Sequence, residues 1–239
     1  MASDVVDLRD FYRSALGQVA RRMIRRAIQR VWPDLRGMRL LGIGYPTPFL
    51  GALAGGTERA IAVMPASLGV LRWPPEGGNQ VTLADEGELP FADYSLDRVL
   101  LVHALETSEE VGSLLQEVWR VLAGGGRVLI VAPNRRGIWA RLDRTPFGSG
   151  RPYTVSQLSQ LLRDEQFTPV GGEPALFIPP ATSRMMLRSA AAWERLGGRL
   201  FPTFAGVLLV EATKQIYAKP AAVRAPRRRL VYTPAPGRL

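Results

Sequence analysis

The sequence predicts an α/β fold with a mostly parallel sheet, and two observations carry that prediction. Between Val81 and Asn134 the chain reads as a strand near Gln80–Leu83, an acidic turn at Asp85 and Glu86, a strand over Leu96–Val102, an amphipathic helix over Val111–Leu122, and a strand over Arg127–Val131 opened by the turn Gly124-Gly125-Gly126. Earlier, Arg39–Ile43 enters a glycine turn at Gly42 and Gly44, weakly helical residues follow from Ala52, and Ala60–Met64 forms another short apolar strand. Strands alternating with helices build parallel sheets, whose ligands sit outside the carboxyl ends of the strands.

The remaining elements follow in order. Over Leu8–Trp32, Tyr12, Ala15, Val19, Met23, Ala27 and Val31 recur at steps of three and four, the period of a helix with one apolar face, and Pro33 and Gly37 end it. Pro65, Pro74, Pro75, Gly77 and Gly78 interrupt the chain before the third strand. Arg135–Pro152 reads as a long ordered loop in which arginines alternate with Trp139 and Phe147. Thr154 caps a helix over Val155–Arg163. Two apolar strands close the sheet, Thr168–Ile178 with a Gly171-Gly172 interruption and Gly206–Glu211 running on towards Ala218, with a helix over Thr182–Leu196 between them. The predicted organisation is a basic N-terminal helix over residues 1–37, packed on a domain over 38–218 that carries a loop insertion at 134–153, and a Pro- and Arg-rich tail over 219–239.

Composition removes several chemistries. With no cysteine among 239 residues, disulfides, thiolate zinc sites and cysteine nucleophiles are excluded. A single histidine, His103, argues against a histidine metal cluster, and no metal site is expected. No apolar run approaches the ~20 residues of a membrane span, so the expectation is a soluble, cytoplasmic protein. The net charge of +10 is uneven: Arg21, Arg22, Arg25, Arg26 and Arg30 crowd the first helix, and Arg224, Arg227, Arg228, Arg229 and Arg238 decorate the tail. Such clusters suit RNA, an acidic protein or anionic lipid.

The segments ADEGELPFADYSLDRVLLVHALE at Ala84–Glu106 and EVWRVLAGGGRVLIVAP at Glu117–Pro133 resemble class I S-adenosylmethionine-dependent methyltransferases, closest in pattern to the ubiquinone/menaquinone-biosynthesis type (methyltransferase type 11). The resemblance covers roughly Arg39–Val131, with weaker agreement as far as Ala218. It implies a Rossmann-like, doubly wound, seven-stranded sheet, mostly parallel with an antiparallel last strand, holding S-adenosylmethionine across the carboxyl ends of its first strands. In that frame Gly42 and Gly44, with Tyr45, let the backbone approach the cofactor, and the next helix offers amides to its carboxylate. The resemblance further implies that Asp85 accepts from the adenine amino group, that the backbone at Glu86 faces the ring edge, and that His103 with Ala104 lines the methionine arm. The first motif departs from the family at Leu40 and Pro46, and Met64 stands where an acid normally grips the ribose.

His103 is also the candidate general base, since imidazole exchanges protons near neutrality. Tyr12 is a candidate cap over the cofactor. Asn134, Arg135, Arg136, Trp139 and Arg144, joined by Arg141, are candidates for a substrate-binding loop or lid, with arginines to hold an anionic group. The implied activity is in-line methyl transfer to an oxygen, nitrogen or carbon nucleophile. The alternative is an inactive methyltransferase-like scaffold that holds RNA or an acidic partner through the basic helix and tail.

Overall fold

A computed structural model describes residues 4–142, 144–181 and 183–215; the tail predicted over 219–239 lies outside them. The chain begins with α1 (Val5–Arg13) and α2 (Ala15–Val31), then β1 (Arg39–Gly44), α3 (Thr47–Leu53), β2 (Arg59–Pro65), β3 (Val81–Ala84) and β4 (Leu96–Val102). It continues through α4 (Val111–Val121), β5 (Leu122–Pro133), α5 (Val155–Asp164), β6 (Phe167–Ala175), α6 (Arg184–Arg188), α7 (Ala190–Leu200) and β7 (Val207–Lys214).

These strands form one seven-stranded sheet in the order β3-β2-β1-β4-β5-β7-β6. Only β7 runs against its neighbours, pairing antiparallel with both β5 and β6. The order reverses at β1, where β2 lies on one side and β4 on the other. That is the switch point at which open α/β sheets take their ligands.

Both faces are covered, so the central strands read as continuous apolar runs rather than alternating ones. Leu40, Met64, Leu100 and Leu129 pack beneath α1 and α2 with Leu8, Ile24 and Ile28. On the other face Leu41, Val63, Leu101 and Ile130 meet Leu114, Val118, Leu158 and Leu162 from α4 and α5. The Thr154 cap accepts from the Gln157 amide and forms a full capping box.

The helix expected from Ala52 onward lies instead at Thr47–Leu53, and three further boundaries differ from the sequence reading for a local reason. The first helix is two helices, because Ser14 ends α1 and caps α2, accepting from the Gly17 amide at 3.0 Å. Gly17 permits the corner: a Cβ there would lie 1.8 Å from the Phe11 carbonyl oxygen. The predicted turn Gly124-Gly125-Gly126 is absorbed into β5, which starts directly after α4. The helix expected over Thr182–Leu196 is split into α6 and α7 at Ser189 and extends to Leu200.

Candidate active site

The carboxyl end of β4 delivers His103 beside the turn that follows β1. Its φ of 51° lies in the left-handed region that side chains rarely adopt, so the ring is aimed by a reversal of the chain that contacts on both its sides maintain. His103 Nδ1 is 3.0 Å from Glu106 Oε1, and its Nε2 is 2.8 Å from the Tyr12 hydroxyl. All three side chains are buried. One proton arrangement satisfies them together: Nδ1–H donates to Glu106, and Nε2 accepts from the Tyr12 hydroxyl. Burial first, then the charges of Glu106 and Tyr45, push the Tyr12 hydroxyl well above its ordinary pKa, so it remains a donor. Glu106 Oε2 is buried with no partner among the described residues, the kind of acceptor that native cores rarely leave unused.

An aromatic wall closes around this relay. Tyr12 stacks on Tyr45 at 6.0 Å and meets Phe49 edge-on at 5.7 Å, while Phe147 lies 5.1 Å from the His103 ring. The corner at Ser14 sets the approach of α1 that makes these contacts.

At the same end of the sheet is a cleft of about 460 Å3. Pro65–Leu68 after β2, Asp85–Gly87 after β3, and Thr107, Glu109, Glu110 and Ser113 line it. Asp85 is exposed there and accepts from the Gly87 amide at 2.8 Å, while Glu86 accepts from the Ser108 hydroxyl at 2.6 Å. The acidic lining contrasts with a chain of net charge +10, and it suits a cationic or amine-bearing ligand.

The two ends of this region fit S-adenosylmethionine differently. The cleft has room and acceptors for an adenosine moiety at Asp85 and Glu86. At the glycine turn, the space a side chain would take is occupied by the protein's own atoms. A Cβ at Gly42 would lie 2.5 Å from Pro46 Cβ, and one at Gly44, where φ is 90°, would lie 2.2 Å from the Val102 carbonyl oxygen. The amides expected from the next helix are few: Pro46 and Pro48 have none, and the Phe49 and Leu50 amides bond to the Pro46 carbonyl. Met64 is fully buried, with its sulfur 3.4 Å from the Leu71 amide, so it reaches no ribose; Ser67 is the polar side chain β2 hands to the cleft instead.

The loop candidates divide by chemistry. Trp139 is buried, donates its indole N–H to the Ile178 carbonyl at 2.8 Å, and meets Phe147 edge-on. Asn134 is buried too, tying the loop to the Thr203 and Ala205 carbonyls at 2.9 and 2.8 Å. Arg135, Arg136, Arg141 and Arg144 point outward and are exposed; Arg135 donates to the Pro152 carbonyl, and Arg136 lines a separate hollow of about 540 Å3 beside α5, β6 and β7. The loop therefore reaches His103 through Phe147 rather than through its arginines. Sequence reasoning missed Phe147 as a site residue and also missed Glu106. The latter carried a signal, an acid three residues after the one histidine, a spacing at which a reversing chain brings two side chains together.

Strand order and the β1 switch point give a Rossmann-like α/β fold, the fold of the solved methyltransferases it superposes on. Residues 42–130 match the family described as "Methyltransferase domain". A methyltransferase of Thermotoga maritima, described as a possible histamine N-methyltransferase, superposes with a TM-score of 0.57 at 16% identity, over 84% of this chain and 91% of that one. One from Archaeoglobus fulgidus gives 0.56 at 21% identity over 80% and 93%. The 1,6-didemethyltoxoflavin-N1-methyltransferase of Burkholderia thailandensis, solved with 1,6-didemethyltoxoflavin and S-adenosylhomocysteine, gives 0.52 at 19% identity over 84% and 78%. No curated protein matches the chain in sequence. Among the described residues no helix is long and apolar enough to cross a membrane, and no cluster of three metal-ligating side chains occurs.

Proposed function

We propose that this chain is an S-adenosylmethionine-dependent methyltransferase. Its Asp85 cleft takes the adenosine half of the cofactor, and Tyr12 must leave His103 before the methionine half can enter. The observation that carries this reading is the buried Tyr12–His103–Glu106 relay, set at the carboxyl end of β4, the side on which open α/β sheets take their ligands. Bound, the cofactor would supply an electrophilic methyl group.

The chain's own residues would do the rest. Once Tyr12 withdraws, His103 Nε2 is free to accept a proton from an oxygen or nitrogen acceptor, while Glu106 holds the ring tautomer and balances the imidazolium charge that results. Phe147 and Phe49 exclude water from this end. Asp85 and Ser67 supply acceptors for the amino and hydroxyl groups of adenosine, in place of the ribose acid that Met64 replaces. Calorimetric titration with S-adenosylhomocysteine tests this directly: saturable heat at one site supports it, and neither heat nor thermal shift at millimolar ligand sinks it.

A second reading has one observation in its favour, Pro46 seated against Gly42. On that reading the fold no longer admits a methionine arm and serves as a scaffold for RNA or an acidic partner. It predicts adenosine binding without S-adenosylhomocysteine binding, even when the Tyr12 contact is removed.

A further inference from the structure

α2 and the α6–α7 segment enclose an open groove of about 450 Å3 into which four arginines converge, Arg22, Arg26, Arg184 and Arg188, above a floor that includes Val19, Met23 and Leu187. A smaller hollow lined by Arg26, Arg30 and Arg195 together with Glu194 adjoins it. Among the described residues only Arg30 of this group has a carboxylate partner, Glu173 at 2.8 Å. The four arginines of the larger groove have no carboxylate among its lining residues, and like charges gathered this way suit an anionic partner.

The same segment exposes large apolar side chains. Met185 is 79% exposed, Leu196 59%, Leu200 61%, Phe201 59% and Phe204 55%, and Trp193 is 39% exposed. On α7, Trp193, Leu196 and Leu200 fall at steps of three and four on one stripe, while Arg195 and Arg199 share a neighbouring stripe. The inward side is held by Gly197, where a Cβ would lie only 2.5 Å from Phe177, and by Glu194, which accepts from the Phe177 amide at 2.9 Å. The apolar stripe is therefore not an undocked core face: α7 already packs by its other side.

We propose that α6–α7 together with the arginine face of α2 docks this protein on the surface of an anionic lipid bilayer. Arginines would meet lipid phosphates, and Trp193, Leu196, Leu200 and Phe201 would enter the headgroup boundary, the pattern of interfacial helices that bind without spanning. RNA would use the arginines but gains nothing from Met185, Leu196 and Leu200. A second copy docking on the same face would set arginine against arginine. Because β7 is antiparallel, the chain leaving Phe204 enters the sheet at Gly206, whose carbonyl accepts from the Asn134 amide at the carboxyl end of β5. Docking would thus hold the rim that carries His103 close to the bilayer.

The test is co-sedimentation of the full chain with vesicles of phosphatidylcholine alone or of phosphatidylcholine with phosphatidylglycerol. Binding is expected on the anionic vesicles, at least ~10-fold stronger than on neutral ones, and weakening with salt. Leu196→Glu/Leu200→Glu and Arg188→Glu/Arg195→Glu should each lower it by ~10-fold or more with unchanged melting, whereas Arg188→Lys/Arg195→Lys should retain it. The proposal is overturned if Leu196→Glu/Leu200→Glu pellets like the parent protein, since binding would then run through other basic segments. It is equally overturned if the chain ignores vesicles and instead forms a dimer that this variant dissolves, or retains RNA that this variant binds unchanged.

Discussion

The two ends of the candidate cofactor region are built on opposite principles. At the adenosine end, three loops stand apart around acceptors that water can reach, and little but Asp85, Glu86 and their local turns shapes the cleft. At the methionine end, Tyr12, Tyr45, Phe49, Phe147 and the His103–Glu106 pair fill the space with side chains that are almost fully buried. On the proposed function, a site half open and half packed has a state to change: the ligand would displace a contact the free protein makes, and binding would be weakened by the free energy of breaking it. The Tyr12–His103 hydrogen bond is the contact at that boundary.

Removing His103 tests the packed end most severely. His103→Ala leaves the Tyr12 hydroxyl and a buried carboxylate facing a void, and the unfolding free energy should fall by about 3 kcal/mol in urea titrations; a loss well under 1 kcal/mol would mean that this end is already loose. Asp85→Ala strikes the open end. Its side chain is exposed, so melting should not change, while adenosine affinity falls by roughly tenfold or more, the worth of a hydrogen bond to a charged group.

Tyr12→Phe is smaller and opposite in sign. It deletes one hydrogen bond of the closed state, about 1 kcal/mol, so S-adenosylhomocysteine should bind roughly fivefold more tightly while adenosine binding stays put. Weaker binding of both ligands would make Tyr12 a ligand contact rather than a gate.

The smallest effect separates the ends by pH. The Arg120 side chain, assisted by the Leu89 amide, holds the Glu117 carboxyl below its usual value of 4.5, although partial burial opposes this. Arg120 also donates to the Leu89 and Phe91 carbonyls at 2.9 and 2.8 Å, pinning the segment that follows the Asp85 turn. A carboxyl whose folded pKa is depressed stabilises the fold above its unfolded pKa, and the contribution is lost as pH falls through the folded value. Acidification below about 4.5 should therefore loosen Leu89 by a few tenths of a kcal/mol, a partly exposed pair being worth little, as read by amide exchange. Leu100 and Leu129 in the sheet should not respond.

The fold was legible because its signals are local. The strands β3, β4 and β5, the amphipathic α4 and the Thr154 cap all follow from period and cap chemistry within a dozen residues. Where legibility failed, distant atoms decided. That Ser14 breaks the first helix depends on Gly17 against the Phe11 carbonyl, and that Gly42 and Gly44 serve the sheet's own packing depends on Pro46 and on Val102 across a strand pair. Trp139 and Arg144 looked alike as loop residues, yet one turns into the core and the other to water. Pairing of Tyr12 with His103 spans 91 positions and has no sequence signature, although Glu106 three residues on was within reach.

The most direct measurement is a competition at the cleft: adenosine titrated calorimetrically into the protein with and without saturating S-adenosylhomocysteine, in the parent chain and in Tyr12→Phe. One shared site with a gated half predicts that S-adenosylhomocysteine abolishes the adenosine heat in both proteins, at lower concentration in the variant. Adenosine heat that persists undiminished in both, at millimolar S-adenosylhomocysteine, would contradict a cofactor site with a gated methionine half.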